Sequence, residues 1–441
     1  MAENNVNVRK AAHRSLMAIM KNGRYSNLEI DSVLRNSADM AEADRALYTR
    51  LVYGVIERRL TLDHIVSQYT SRKLCDIDSA SLTSLRLGLY QLIYTDRIPD
   101  FAAVSETVDT APQKAKGFVN GILRSFLRGG KSFSLPEGNS PEALSLRYSV
   151  SEDVTRVLLD SYGADETEKI LEASFTPEKV CLRINTLKIS PDEAANLLPE
   201  SERGNYSDDI LRVSSVDKAV RDGIDAGLWF VQDEASRIAV RTLGATPCDI
   251  IADTCAAPGG KTLSAAIDGK GECKLFSFDL HENKLSLIRS AAEKLGIPNV
   301  STEKRDAREP KGELIGKCDR VLCDAPCSGL GVLGKKPDIR YKDGDSVGKL
   351  PEIQYGVLCG AAKYVKDGGV LLYSTCTLNK KENEEVVSRF LKENTNFSPV
   401  DFSFGSSRGL PTLESRNGML TLFPHISHTD GFFVAKMKKS K

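Results

Sequence analysis

The stretch Cys323-Asp324-Ala325-Pro326-Cys327-Ser328-Gly329 follows a short apolar run, Arg320 to Leu322, and Tyr373-Ser374-Thr375-Cys376-Thr377 follows another, Val370 to Leu372. Runs of this kind read as short buried strands. Parallel strands aim their carboxyl ends at one edge of the sheet, the edge at which open α/β sheets bind ligands. The pattern therefore predicts that Asp324, Cys327 and Cys376 converge on one crevice, with two thiols and a carboxylate around a small group. A single cysteine after a strand is more often an inert core residue, since free Cys is among the most buried residue types. Both motifs together, in this order and behind a matching glycine loop, favour chemistry.

Working outward, strand and helix alternate from Asp249 onward, the mark of a doubly wound sheet. Asp249-Ile-Ile-Ala-Asp253 reads as the first strand, and the turn after it, Cys255-Ala256-Ala257-Pro258-Gly259-Gly260-Lys261, opens the next helix. Without bulky side chains, such a turn lets backbone approach a ligand closely. It lacks the spacing of a phosphate-binding loop. The second strand, Lys274 to Phe278, ends in Asp279, placed to accept hydrogen bonds from ribose hydroxyls. Asn299 to Glu303 reads as the third, with Asp306 just past its end, placed to accept from an adenine amino group. Either aspartate equally suits a turn or a helix cap.

Asp324-Ala-Pro-Cys327, Ser374-Thr-Cys376 and Cys255-Ala-Ala-Pro-Gly-Gly-Lys261 together resemble the motifs of RNA cytosine-5 methyltransferases of the RsmB/NOP class. The resemblance implies an α/β Rossmann-like domain that uses S-adenosyl-L-methionine, and a substrate in small-subunit ribosomal RNA. It implies Cys376 as the nucleophile, Cys327 as the group that assists product release, and Asp324 as a residue facing both cofactor and base. By the same resemblance Cys255, Ala256, Ala257, Pro258, Gly259, Gly260, Lys261, Asp279, Asp306 and Asp324 hold the cofactor. The chemistry is coherent. Carbon 5 of cytosine is a poor nucleophile until a thiolate adds to carbon 6, and covalent catalysis splits one hard step into two easier ones. A carboxyl group beside ring nitrogen 3 and the exocyclic amine stabilises the charge that develops there. The base has to be single-stranded or extruded, because both its faces are used. No histidine falls in the two cysteine motifs, so the pattern offers no imidazole to activate a thiol.

The segment Leu330-Gly-Val-Leu333-Gly-Lys335-Lys336-Pro337-Asp338-Ile339-Arg340-Tyr341 also matches this class, with Lys335 in place of an Arg and Tyr341 in place of a Trp. The resemblance makes it part of the substrate grip, with its cations on RNA phosphates in a salt-dependent way. Leu378 to Phe390, with Glu382-Asn383-Glu384-Glu385 inside it, reads as the helix that leaves the fifth strand. Leu422 to His425 and Thr429 to Ala435 look like closing antiparallel strands.

Residues 1–130 read as helical throughout, with amphipathic stretches at Arg9 to Lys21 and Arg45 to Val66 and a break at Pro99. Leu85 to Leu92 and Gly117 to Arg124 resemble the helical antitermination factor NusB, which implies an all-α bundle with RNA and protein partners. A bundle that merely packs on its neighbour is the plainer alternative. Residues 131–142, rich in Gly, Ser and Pro, read as a linker. Residues 143–240 read as a small helical and α+β subdomain, and 241–441 as the catalytic domain. In the subdomain, Val180 to Asn185 alternates like a strand, and Arg183 and Asn185 either touch RNA or sit on a solvated edge.

With 441 residues, 41% hydrophobic and 27% charged, the chain is globular, neither disordered nor membrane-spanning. It has no apolar run of about eighteen residues and no signal-peptide pattern at its start, so a cytoplasmic monomer is expected. Sixty basic and sixty acidic residues cancel, and any affinity for RNA must come from local patches. Ten cysteines without a Cys-x-x-Cys argue against a disulfide framework, and no metal site is expected.

Overall fold

The computed structural model describes residues 7–37, 40–176 and 179–441. Two compact units make up the chain: Met1–Leu171 with Leu333–Asp343, and Glu172–Val332 with Gly344–Lys441.

The first unit is helical. Its opening helix, Val8–Asn22, starts where the Asn7 side chain accepts from the Lys10 amide at 2.9 Å and stops at Gly23, whose φ of 66° only glycine adopts freely. The stretch 45–66, expected as one helix, is two. Arg58 leaves helical geometry at φ −108°, ψ 14°, and separates Glu42–Glu57 from Arg59–Gln68. The expected break at Pro99 falls between Ser79–Tyr94 and Asp100–Val108. Leu16, Tyr48, Leu51, Leu85, Leu123 and Phe126 meet in a single core.

Into this unit packs Leu333–Asp343, a strap that comes from far along the chain. The Arg340 side chain is fully buried, donates to the Tyr148 carbonyl at 3.0 Å and lies 3.6 Å from the Glu57 carboxylate. The Tyr341 hydroxyl donates to the Ile56 carbonyl at 2.5 Å, and the Arg59 guanidinium lies 3.7 Å from the centre of its ring. Asp338 accepts from the Ser26 hydroxyl at 2.5 Å and the Ser26 amide at 3.3 Å. Of the cations expected to meet RNA phosphates, Arg340 is therefore enclosed. Arg340 is an interior residue of the helical unit and Tyr341 packs partly buried against its core, whereas Lys335 and Lys336 remain exposed.

The second unit begins with a four-stranded antiparallel sheet: β1 (Val180–Ile184), β2 (Glu202–Arg203), β3 (Ile210–Val213) and β4 (Trp229–Val231), in the order β2-β3-β1-β4. Arg183 and Asn185 do not reach solvent, so neither offers a surface to RNA. The Arg183 guanidinium is 1% exposed and pairs with Asp209 and Asp268, each at 3.0 Å. Arg237 bridges the same two carboxylates at 2.8 and 2.6 Å. Asn185 donates to the Gly227 and Leu295 carbonyls, each at 2.9 Å. Alternation put Arg183 on one face of a strand, but that face meets two acids.

The large sheet contains β5 (Ile250–Asp253), β6 (Lys274–Asp279), β7 (Val300–Lys304), β8 (Cys318–Asp324), β9 (Val365–Thr375), β10 (Phe397–Pro399), β13 (Met419–Leu422) and β14 (Phe432–Lys439). A separate two-stranded ribbon pairs β11 (Ser403–Phe404) with β12 (Leu413–Glu414). The order is β10-β14-β9-β8-β5-β6-β7, with β13 on β14. From β7 to β9 all pairings are parallel, and β14 closes on β9 antiparallel. The expected closing strand through His425 ends instead at Leu422, where Pro424–Ser427 turns into a helix. Among the described residues no helix is long and apolar enough to cross a membrane.

Candidate active site

Because β5, β6, β7, β8 and β9 run parallel, the loops leaving their carboxyl ends share one edge, and that edge carries the residues singled out by sequence. Asp324 ends β8 directly beside Ser374 on β9, and Cys327 and Cys376 follow in the two neighbouring loops. Their sulfurs are 3.2 Å apart. The hydrogen bond to Cys376, reinforced by burial, pushes the Cys327 thiol well above the ordinary thiol range.

The Asp324 carboxylate is held at both oxygens. Lys261 Nζ donates to one at 2.8 Å and Ser374 Oγ to the other at 2.7 Å. Burial alone would lower the Lys261 pKa, but the charge and hydrogen bond of Asp324 outweigh it and the ammonium is held above its usual range. Lys261 also lies 5.1 Å from the centre of the Phe432 ring. Asp253, at the end of β5, is 2% exposed and accepts from Thr262 Oγ1 at 2.6 Å. Its burial raises its pKa to about 7.

The turn from Cys255 to Lys261 lies between β5 and the helix Gly260–Asp268. Gly259 holds φ at 109°, and a Cβ there would press on Ile288 at 3.1 Å. Asp279 braces this turn, accepting from the Ala257 amide at 3.2 Å and the His281 amide at 2.9 Å. Asp306 lies beyond β7 with both oxygens engaged by the Arg308 guanidinium, which, with the Arg308 amide, lowers its pKa. Sequence reasoning passed over Gln232. Its amide nitrogen donates to the Gly260 carbonyl at 2.8 Å, while its buried Oε1 has no partner among the described residues. A small-residue turn, a carboxylate at the next strand end and an unsatisfied buried acceptor together fit a polar nucleoside-bearing ligand.

Also passed over was the packing that joins the two cysteine loops. The Gly331 amide donates to the Cys376 carbonyl at 3.0 Å, and the Gly431 amide donates to the Gly331 carbonyl at 2.9 Å. A Cβ on Gly331 would stand 1.8 Å from the Gly431 oxygen, so only glycine fits. No periodic pattern announces such an approach, although an isolated glycine beside a motif is a hint of one.

Residues 240–438 match the family model described as 16S rRNA methyltransferase RsmB/F, and residues 6–128 match the NusB family. The chain is 36% identical to a probable ribosomal RNA small subunit methyltransferase B of Bacillus subtilis, over 98% of each chain. The chain belongs to the RsmB/F methyltransferase family. A second relative of that name, from Synechocystis, is 33% identical over 99% of this chain and 100% of its own. A solved methyltransferase homologue from Pyrococcus horikoshii aligns with 69% of this chain and 100% of its own, at TM-score 0.59 and 28% identity. The cofactor of this RsmB/F methyltransferase is S-adenosylmethionine, and the loop, Asp279 and Gln232 are the observed features that fit it.

Proposed function

We propose that this methyltransferase methylates carbon 5 of a cytosine in small-subunit ribosomal RNA through a covalent adduct on Cys376. The observation that carries the reading is the 3.2 Å approach of the Cys327 and Cys376 sulfurs next to the Asp324 carboxylate. The relatives' names, ribosomal RNA small subunit methyltransferase B, support the RNA class.

In this reading S-adenosylmethionine supplies the methyl group, held by residues 255–261 with Asp279, Asp306 and Asp324. Cys376 attacks carbon 6 as a thiolate, and the ring electrons move toward carbon 5. Asp324, braced by Lys261 and Ser374, faces the exocyclic amine and ring nitrogen 3. Once carbon 5 carries the methyl group, its proton leaves and the bond from carbon 6 to sulfur breaks. Cys327 passes its own proton to the departing sulfur of Cys376 and takes the carbon 5 proton in exchange, so both thiols are restored. The exposed Lys335 and Lys336 and the NusB-like unit supply contacts to RNA phosphates.

Incubation with small-subunit RNA containing 5-fluorocytosine tests the reading, because fluorine cannot leave as a proton does and the adduct persists. A stable protein–RNA adduct that Cys376→Ala abolishes is expected, and absence of any adduct with the unaltered protein overturns it. Mapping 5-methylcytosine in total RNA from a deletion strain identifies the RNA class, and loss of the mark from transfer RNA alone would refute the ribosomal assignment.

A further inference from the structure

Between the two cysteine loops lies a buried carboxylate that the reaction itself does not use. Glu382 is fully buried, six residues beyond Cys376. Its Oε2 accepts from the Ser328 amide at 2.8 Å and from Gln354 Nε2 at 2.8 Å. Its Oε1 accepts from Ser328 Oγ at 2.5 Å and from Asn379 Nδ2 at 3.0 Å. All four partners are N–H or O–H donors, a set that fills the acceptor sites of a carboxylate and that neither an acid nor an amide could satisfy.

The donors are placed on either side of the reacting sulfurs. Ser328 directly follows Cys327, and Gln354, through the same Nε2, also donates to the Pro326 carbonyl at 2.9 Å, directly before it. Asn379 belongs to the loop after Cys376, and the Ser328 hydroxyl is 2.7 Å from Thr377 Oγ1. The next residue, Asn383, continues the clamp. It donates to the Thr377 carbonyl at 2.9 Å and accepts from Thr375 Oγ1 at 2.6 Å.

We infer that Glu382 is a positioning residue that fixes the spacing of Cys327 and Cys376 by tying the turn of one to the loop of the other. The inference rests on the covalent-cysteine reading above. Its consequence is specific to one step. Attack on carbon 6 needs Cys376 alone, whereas release needs Cys327 beside it, and a misplacement of about 1 Å costs on the order of 10²-fold. Loosening the clamp therefore slows release more than attack, and the protein accumulates on its RNA.

Glu382→Gln places an amide NH2 against two of the four donors. With natural cytosine RNA and S-adenosylmethionine, its kcat is expected to fall by about tenfold or more, with KM falling alongside so that kcat/KM stays within about twofold, because the slowed step follows methyl transfer. A covalent protein–RNA adduct, expected to be faint in the unaltered protein, should build up, as is also expected of Cys327→Ala. Ser328→Ala, which removes one donor and the link to Thr377, should shift both readouts in the same direction by less, and it carries the test if Glu382→Gln does not fold. A merely structural role would lower adduct and turnover together, in step with the folded fraction. If the unaltered protein traps 5-fluorocytosine RNA but neither variant accumulates adduct, the inference alone is overturned. If the unaltered protein traps nothing, the cysteine mechanism fails, and the role of Glu382 fails with it.

Discussion

Cys327 Sγ and Cys376 Sγ stand 3.2 Å apart across 49 residues of sequence, each at the carboxyl end of a neighbouring parallel strand. In the proposed mechanism the two sulfurs have different tasks, attack for Cys376 and release for Cys327, and their substitutions differ accordingly. Cys376→Ala should abolish methyl transfer and adduct. Cys327→Ala should still form the adduct yet turn over about 10²-fold more slowly, as expected when a proton-transfer partner is lost. Denaturing gels of protein and labelled RNA, run beside single-turnover methylation, separate the two.

Stability should fall as pH rises through the range in which Asp253 loses its proton. Burial raises that group to about 7 in the folded protein, whereas the unfolded chain ionises it near 4. Between about 4 and 7 the folded state therefore binds more protons than the unfolded state, and stability drops across that window. Asp253→Asn keeps an acceptor for Thr262 and cannot ionise, so the decline should flatten. Urea titrations at several pH values should find the variant the more stable of the two above about pH 7, with the difference closing toward pH 4.

The Arg183, Asp209, Arg237 and Asp268 network ties β1 and the turn just before β3 of the small sheet to the helices Glu234–Leu243 and Gly260–Asp268. Removing one member strands buried charge. Asp209→Ala should cost about 3–5 kcal/mol, read as a lower urea midpoint with an unchanged slope. None of the four is a reacting group, so kcat of the folded fraction should hold.

A paired test applies to the strap. Burial lowers the Arg340 pKa to about 10 and raises that of Glu57, which means the pair does not fully repay its own desolvation. Arg340→Met should destabilise the helical unit by about 3 kcal/mol. The double substitution Arg340→Met with Glu57→Leu should recover most of that loss in thermal unfolding.

The legible part of this molecule was the part in which order along the chain dictates place in space. Parallel strands carry Asp279, Asp306, Asp324, Cys327 and Cys376 to one edge whatever else the side chains do, and motif order was enough to find them. What escaped depends on which distant group a side chain meets. Arg183 looks the same in a sequence whether its strand faces water or Asp268, 85 residues later. Glu382 read as one more acid within a helix from Leu378 to Phe390, since nothing local reveals that Ser328 and Gln354 converge on it. Arg340 and Tyr341 lay within a segment matching the catalytic motifs, and periodicity could not tell that their partners are Glu57, Arg59 and Ile56.

The strap has a consequence for how the polypeptide can be divided. The backbone passes from one unit to the other after Leu171, again after Val332 and again after Asp343. A gene cut at the first of these points leaves the carboxyl-terminal product carrying an orphaned arginine and tyrosine on a peptide that belongs inside the other fragment. The amino-terminal product is left with an open seat. The two pieces are expected to be soluble only when made together, so the halves are better regarded as a laced pair than as detachable modules.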